Sequence, residues 1–306
     1  MTFTTHRDRY LIVNGDDFGL SPQVNAGIVH AHQHGILTDA SLMVTGPAWR
    51  EAVELARANP QLSVGLHVTL VQGKSVLPPH LLSSITDFGG NFPNNPTLTG
   101  LRYFFSRRAR EQLREECRAQ IERFLAAGLV LTHIDGHVNI HMHPVVCDIL
   151  IALMQEYGIP AMRVTQENLA VMLAYDTHQR FRKQREALIF SRLAQRAKHK
   201  LSAAQRVFPD TLFGLHHSGQ IDERYLLHLL PKLQVGVTEL YCHPSFLPCP
   251  EVERWSPTYR RADELAALTS ANVRMTIDAL GISVISYREL PVLGARLDET
   301  LGDFRT

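Results

Sequence analysis

Two adjacent carboxylates at the end of an apolar run are the first feature of this chain that could carry out chemistry. The run at 10–13 has the composition of a buried strand, and the sequence NGDDFG follows it, with Asp16 and Asp17 side by side. Ser21 and Pro22 then have the residue types of a helix N-cap and a first helical position. Since α/β folds place active sites at the carboxyl ends of strands, this pair indicates a bound cation or a catalytic step. The alternative is a turn with an N-capping aspartate.

Histidines further along the chain strengthen the cation interpretation. The short apolar run GLHVTL carries His67 near its end, although a lone histidine there is more often a hydrogen-bonded structural residue. The motif THIDGHVNIHMHP at 132–144 holds four histidines and Asp135 within eleven residues, which is too dense for all of them to pack in a core. Neutral imidazole is the commonest metal ligand, and three protein ligands with open positions mark a catalytic site. One aspartate and two histidines from three strand ends would form such a site.

An alternation of strand-like and helix-like segments must position these residues. Apolar strand-like runs lie at 10–14, 39–45, 63–70, 129–135, 160–165, 236–242 and 282–287. Helical patterns lie at 48–59, 111–127 and 145–157. This alternation predicts a parallel sheet with right-handed crossovers, and a length of 306 residues is typical of a single α/β barrel domain.

Two segments interrupt the alternation and are predicted to be insertions in one domain spanning 1–306. Residues 71–108 are rich in Pro, Gly, Asn and Phe and are expected to form a loop over the mouth of the barrel. Residues 166–218 contain a long helical stretch and are expected to form a lid or side element. Within it, 180–206 carries nine Lys or Arg against Glu186 alone. A solvated basic helix packed on the barrel is the simpler interpretation, and peripheral contact with an anionic membrane is the alternative.

Composition fits a globular enzyme without identifying one. Hydrophobic residues at 45% allow a large core, and a formal charge of +1 gives no reason to expect nucleic acid as a partner. The four cysteines show no paired spacing, so reduced thiols and a cytoplasmic location are expected. The first residues lack an apolar signal region, and no run approaches the ~18 apolar residues of a membrane span. The protein is therefore expected to be soluble, or at most peripheral to the inner face of the membrane, and its oligomeric state stays open.

Four motifs in order along the chain, DDFGLSPQVNAGI, GLHVTL, THIDGHVNIHMHP and TELYCHPS, resemble the YdjC-like carbohydrate deacetylases. The resemblance covers nearly the whole chain, from Arg9 to about Leu290. The stretches VQGKSVLPP, GLRYFF and FGLHHSG are most similar to the branch of deacetylases associated with hopanoid biosynthesis. This resemblance implies an α/β fold of the distorted (β/α) TIM-like barrel type. It also implies metal-dependent removal of an N-acetyl group from an amino sugar.

The resemblance further implies that Asp17, His67 and His137 bind one divalent metal ion. By ligand softness, two imidazoles and one carboxylate suit Zn²⁺ or another first-row ion. The resemblance also allows Mg²⁺, which prefers oxygen ligands, so both ions stay open. Relatives usually carry another histidine at the position of Asn139, and an asparagine there cannot carry a proton.

Amide hydrolysis also needs a base for the attacking water and a proton for the leaving amine. Asp16, next to a ligand but not assigned as one, is the candidate general base. His243, which ends a late strand before Pro244, is the candidate general acid, with a structural histidine as an equal alternative. Arg163 is expected to orient Asp16 or bind substrate, and Asp135 to hydrogen-bond a ligand histidine. His217 is expected to reach the substrate from the second insertion.

Three functions stand as hypotheses from the sequence. The leading one is an N-deacetylase acting on an N-acetylglucosaminyl group of a hopanoid glycolipid, held by an apolar rim formed by Tyr103, Phe104 and Phe105. Ordinary core packing is the commoner fate of such aromatic residues. The second hypothesis is the same chemistry on soluble N-acetylated oligosaccharides such as chitooligosaccharides. The third is a non-catalytic sugar- or lipid-binding relative, which the retained carboxylates and histidines argue against.

Overall fold

The structure of the protein, a computed structural model, describes residues 8–253 and 256–293. Over these ranges the chain forms one α/β domain. Its strands are β1 (Arg9–Phe18), β2 (Asp39–Leu42), β3 (Ser63–Val68), β4 (His133–Gly136), β5 (Ala161–Met162), β6 (Thr211–Phe213), β7 (Gly236–Cys242) and β8 (Ile282–Ile285). Its α-helices are α1 (Pro22–His34), α2 (Trp49–Ala58), α3 (Pro96–Phe105), α4 (Arg107–Ala126), α5 (Pro144–Tyr157), α6 (Leu169–Tyr175), α7 (Arg180–Ala203), α8 (Glu223–Leu229), α9 (Pro250–Glu253), α10 (Arg261–Leu268) and α11 (Ala271–Ala279).

The strands form one sheet, and every pair of neighbouring strands in the described ranges is parallel. Their order is β5-β4-β3-β2-β1-β7-β6, with β8 paired to the first residues of β1. A further parallel bridge joins Ala161 to Val207, just before β6, so the sheet curls back towards β5. The carboxyl ends of β1, β3, β4 and β7 therefore meet at one end of a curled, half-barrel sheet.

Each of the seven predicted strand-like runs contains a strand, but the prediction missed β6. This strand lies inside 166–218, which was expected to be entirely an insertion. It is three residues long and pairs with β7 through Leu212 and Glu239, so this part of the segment belongs to the sheet. The segment 71–108 contains a 3-10 turn at Pro79–Leu81, helix α3 and the first two residues of α4, and the rest of it is loop and turn.

Local sequence signals explain the helices next to the site. The hydroxyl of Ser21 accepts a hydrogen bond from the backbone N–H of Val24, and Pro22 occupies the first position of α1. In α4, Leu113, Ile121 and Phe124 are buried on one side, as their spacing predicts. Helix α1 therefore starts where the sequence indicated, and α4 buries the predicted side, although it begins at Arg107 and not at residue 111.

The basic helix α7 packs on the outside of the domain against α5. Arg196 and Lys200 lie 2.6 and 2.7 Å from the two carboxylate oxygens of Asp148, and Leu201 is buried beneath them. The four cysteines are buried, and none of them forms a disulfide within the described residues. In the part of the chain that the structure describes, none of the helices combines the length and the apolar character needed to span a bilayer.

Candidate functional site

The two adjacent aspartates lie in an irregularity of β1. The register against β2 shifts between Gly15 and Phe18, so Asp16 and Asp17 occupy a bulge that redirects their side chains. Asp17 has a φ of 67°, a left-handed conformation that a non-glycine residue rarely adopts. Such strain is typical of functional positions where the surrounding structure holds the residue in place.

The second ligand-bearing loop carries similar strain. Val138 and Asn139 follow His137 with φ of 54° and 55°, and a β-branched residue such as valine is particularly unfavourable there. These two residues turn the chain sharply after β4 and leave His137 at the end of that strand. The loop that follows His137 therefore has an unfavourable backbone conformation, which the surrounding structure must hold in place.

Asp17, His67 and His137 come together in a group whose potential ligand atoms all lie within 4.8 Å of one another. Oδ1 of Asp17 lies 3.0 Å from Nδ1 of His137 and 3.7 Å from Nε2 of His67. This oxygen is buried and has no hydrogen-bond partner. A buried carboxylate oxygen without a donor, facing two imidazole nitrogens, fits the requirements of a divalent cation.

The environment of His67 also favours a cation. Its Nδ1 lies 2.8 Å from Oδ1 of Asp135, which fixes the tautomer and leaves Nε2 free to face Asp17. Burial by itself would lower the pKa of His67, but the carboxylates of Asp135, Asp16 and Asp17 raise it to about 9. The same negative charges would stabilise a metal ion at Nε2 in place of a proton.

A second group of potential ligands, Asp16, His67 and Asp135, lies next to the first. It is a poorer metal site because the guanidinium of Arg163 already lies 2.8 Å from both Asp16 and Asp135. A metal ion there would sit beside a fixed positive charge. The charges therefore favour one ion at Asp17, His67 and His137.

Arg163 is fully buried and holds Asp16 through two parallel hydrogen bonds of 2.8 Å each. Its other contacts are Asp135 and Glu239, both at 2.8 Å. Burial would lower the pKa of Arg163, but these three carboxylates keep it well above its usual value. The amide of Asn14 adds a third hydrogen bond to Asp16, at 2.7 Å. Asp16 is therefore held in one orientation, as one of the two predicted roles of Arg163 requires.

Arg261, at the start of α10, is a site residue that the sequence did not single out. Its Nη2 lies 3.2 Å from Oδ2 of Asp17, and only 4% of the residue is exposed. Burial would raise the pKa of Asp17, but His137 and Arg261 hold it well below the usual value. Arg261 thus occupies one oxygen of Asp17 and leaves the other towards the histidines. No sequence signal could reveal this contact, because the two residues lie 244 positions apart.

A cavity of about 380 Å³ at the carboxyl end of the sheet is lined by Asp16, Asp17, His67, His137 and Arg261. His243 is on its wall and is 7% exposed, with its backbone N–H donated to Glu264. Burial lowers the pKa of His243 to about 4, although Asp17 and Asp16 oppose the shift. His243 is therefore neutral at pH 7. Asn139 also lines the cavity and accepts a 2.8 Å hydrogen bond from Thr165.

Other predicted contacts do not reach the cavity. The ring of His217 stacks on Tyr225 at 4.5 Å, and in the described chain it is the following residue, Ser218, that lines the cavity. The expected contact of His217 with substrate is therefore not supported by its position. Tyr103 was expected at an apolar rim, but it is buried and donates its hydroxyl to the carbonyl of Leu70 at 2.7 Å.

Only one histidine of the dense motif faces the cavity among the described residues. His133 is fully buried in β4, and its ring stacks on Tyr287 at 3.9 Å. His141 is buried as well, and burial lowers its pKa to about 3. His143 precedes α5 and lies beside Tyr103, away from the cluster. The dense motif therefore contains one histidine that is proposed as a ligand, His137, and three histidines that pack elsewhere in the structure.

The sequence profile of the YdjC-like protein family matches residues 10–279, a range that includes every residue of the cluster. The chain belongs to this family. It is 32% identical over 283 residues to a carbohydrate deacetylase of Geobacillus stearothermophilus, covering 92% of this chain and 98% of that protein. A carbohydrate deacetylase of Vibrio cholerae serotype O1 is 31% identical over 283 residues, covering 92% and 96% respectively.

A solved structure from Enterococcus faecalis V583 has the same fold as this YdjC-like chain. It superposes with a TM-score of 0.73 at 28% identity, covering 92% of this chain and 99% of that one. Its name describes it as a proposed cellobiose-phosphate cleavage protein. The agreement over nearly the whole length supports the curled parallel sheet as the family architecture.

Proposed function

We propose that this protein is a metal-dependent N-deacetylase acting on an N-acetylglucosaminyl group. The observation that carries the proposal is the group of buried Asp17, buried His67 and half-buried His137, with one carboxylate oxygen of Asp17 left without a hydrogen bond. Asp16 lies beside this group and is fixed by Arg163. The names of the relatives from Geobacillus and Vibrio support the carbohydrate substrate class.

A divalent ion at this group would supply a Lewis acid, which polarises an acetyl carbonyl and acidifies water. Asp16 is the general base in this proposal. A carboxylate offers about four acceptor sites, and Arg163 and Asn14 use three of them, so one remains for the attacking water. Arg163 keeps that remaining site in a constant direction. The water loses a proton to Asp16 as its oxygen bonds to the acetyl carbon, the C–N bond then breaks as the nitrogen takes up a proton, and acetate and a free amine are released.

The leaving amine needs a proton, and His243 is the candidate that lies on the cavity wall. With a pKa of about 4 its imidazole is neutral near pH 7 and lacks the second proton that a general acid would donate. In this proposal the proton that Asp16 takes from the water is passed to His243, which then donates it to the leaving amine. His243 would therefore differ from a general acid that is already protonated in the free enzyme. This route of the proton does not require a proton-carrying side chain at position 139, where the chain has Asn139.

Acetate release from N-acetylglucosaminyl substrates by the metal-loaded protein tests the proposal. Turnover is expected for the wild type, and Asp16→Asn, which keeps the size of the side chain, is expected to lower kcat by at least about 100-fold. If the wild type binds such sugars without releasing acetate from any of them, the protein is a non-catalytic relative and the proposal is wrong.

We further propose that the natural substrate is a hopanoid glycolipid, which the resemblance of VQGKSVLPP, GLRYFF and FGLHHSG to that branch supports. A specific observation also favours the soluble alternative. A second cavity of about 790 Å³ shares Leu20 and Gln72 with the catalytic cavity. Polar side chains such as Asn91, Asn94 and Thr86 line it, and they suit further sugar units.

The two substrates are separated by kcat/KM for an N-acetylglucosaminyl hopanoid and for diacetylchitobiose at matched concentrations. The lipid proposal expects the hopanoid to be the better substrate, because binding of its remote part helps to orient the amide. Equal or higher kcat/KM for the disaccharide would reject the lipid and favour the soluble oligosaccharide.

A further inference from the structure

Helix α3 turns its apolar side to solvent. Leu98, Leu101 and Phe105 follow a spacing of three and then four residues, which places them on one face of the helix. They are 64%, 52% and 76% exposed. The residues that α3 buries are Thr99 and Tyr103. An ordinary surface helix buries its aliphatic residues and exposes its polar ones. The exposed apolar face of α3 is therefore suited to contact with another molecule or surface.

The chain around this face is positively charged. From Phe88 to Arg110 the sequence contains four arginines and no acidic residue. Arg107 and Arg108, directly after α3, are both exposed. One of them, Arg107, has a carboxylate nearby, since its Nε lies 3.3 Å from Glu111. An apolar face bordered by arginines complements a surface that is both apolar and anionic.

The face also lies at the end of the domain that holds the site. The hydroxyl of Tyr103 binds the carbonyl of Leu70, which follows β3, and Gly100 lies against His143, which precedes α5. Helix α3 therefore packs on the segments that follow the strands of His67 and His137. Whatever binds α3 is brought to the end of the sheet where the cavity opens.

We propose that this α3 face, defined by Leu98, Leu101 and Phe105, docks the protein on an anionic lipid bilayer. The apolar side chains enter the boundary between headgroups and acyl chains, while Arg107 and Arg108 contact the phosphates. A second copy of the chain is a weaker occupant. A two-fold contact through this face would bring two identical arginine clusters into one interface. The docking surface thus differs from the 180–206 segment that the charge pattern suggested.

Helix α7 provides the matched comparison for this inference. Leu188 and Ile189 are also large, apolar and 54% and 56% exposed, on a helix with more basic residues than α3. If charge and exposed apolar area alone decided membrane contact, α7 would serve equally well. What distinguishes α3 is that its aliphatic residues face solvent, whereas α7 also buries an apolar side with Ala194, Ala197 and Leu201.

Flotation of the full-length protein with vesicles tests the proposal. Wild type is expected to bind vesicles of phosphatidylcholine with about a third phosphatidylglycerol and to bind pure phosphatidylcholine weakly. Substituting Leu98→Ser and Leu101→Ser together, and leaving Phe105 unchanged, is expected to lower the partition coefficient by about tenfold or more. The pair Leu188→Ser and Ile189→Ser is expected to leave it unchanged.

Membrane docking and the proposed deacetylase activity are tested by separate measurements. The substituted side chains are exposed, so circular dichroism and turnover of a soluble acetylated sugar should be unchanged in the α3 variant. Absence of wild-type binding to the anionic vesicles, or loss only in the α7 variant, would overturn the inference. If sedimentation shows a wild-type dimer that the α3 variant converts to a monomer, the face binds a second copy instead. Because flotation needs no turnover, a failure here leaves the deacetylase proposal standing.

Discussion

Asp16 and Asp17 are neighbours in sequence, but each has its own buried arginine. Arg163 occupies both oxygens of Asp16, while Arg261 approaches only one oxygen of Asp17. The remaining oxygen of Asp17 faces His67 and His137 without a donor. This difference separates the proposed roles of the two carboxylates, because only Asp17 has an oxygen free to bind a cation at the histidines.

We therefore expect different results from substituting the two aspartates. Asp17→Ala, His67→Ala and His137→Ala should each weaken the binding of a divalent ion by at least about 100-fold, since each removes one of three ligands. Asp16→Asn should keep the metal and lose turnover. Titration calorimetry with Zn²⁺ and with Mg²⁺, combined with metal analysis, measures both effects and identifies the preferred ion. Loss of metal from Asp16→Asn would show that Asp16 is itself a ligand.

Arg163 should matter for stability as well as for activity. Arg163→Met would leave Asp16, Asp135 and Glu239 buried without their shared cation, so we expect a loss of about 3–5 kcal/mol in the free energy of unfolding. Arg163→Lys restores the charge but not the paired hydrogen bonds to Asp16. It should recover part of the stability while kcat stays at least about tenfold low.

Urea unfolding and steady-state kinetics measure the effects of the two Arg163 variants. Arg118→Lys is the control, since its partner Glu156 is 47% exposed and surface pairs contribute little. If Arg163→Met unfolds at the same urea concentration as Arg118→Lys, the buried network does not stabilise the fold.

The sequence predicted those helices and strands whose positions depend on local pattern. The seven predicted strand runs, the cap of α1 and the buried side of α4 follow from apolar spacing and residue type. β6 lies in a segment with a mainly helical pattern, and its place is set by pairing with β7, which no local pattern encodes. The packing of His133 depends on Gly65, because a Cβ at Gly65 would lie 2.4 Å from the His133 ring. The proposed ligands were predictable from their motifs, whereas Arg261 required the docking of α10.

Asp39, at the start of β2, should make the unfolding free energy depend on pH. It is fully buried and accepts a hydrogen bond from the backbone N–H of Tyr287 at 3.0 Å. Burial raises its pKa from 3.8 to about 7. Between these values the unfolded chain has lost the proton and the folded chain keeps it, so this carboxyl lowers stability as pH rises and has no further effect above about 7.

The comparison of Asp39→Asn with wild type isolates this contribution. The difference in unfolding free energy, variant minus wild type, should increase by at most about 4 kcal/mol between pH 4 and pH 7 and then stay level. Urea unfolding at a series of pH values measures it. A difference that is constant with pH would mean that Asp39 titrates alike in both states.

The site is formed by residues from almost the full length of the chain. Asp16 contacts Arg163, Arg163 contacts Glu239, and Glu239 accepts a 2.6 Å hydrogen bond from the hydroxyl of Tyr287. These residues come from β1, the end of β5, β7 and the turn after β8. Folding of the whole sheet is therefore required before Asp16 acquires its orientation. Changes at the cluster should accordingly alter the stability of the entire domain.

Metal removal should consequently lower the thermal stability of the complete protein. An ion that binds only the folded state stabilises it by about 2.7 kcal/mol at a concentration 100 times its Kd. For a chain of 306 residues this corresponds to a Tm increase of roughly 4 °C over the chelated protein. Asp17→Ala should show no difference between the metal-loaded and chelated forms, because the ion no longer binds. Asp16→Asn, which keeps all three ligands, should retain the full increase. Scanning calorimetry with and without a chelator measures these shifts, and an equal response of Asp17→Ala and wild type would place the ion somewhere other than at Asp17.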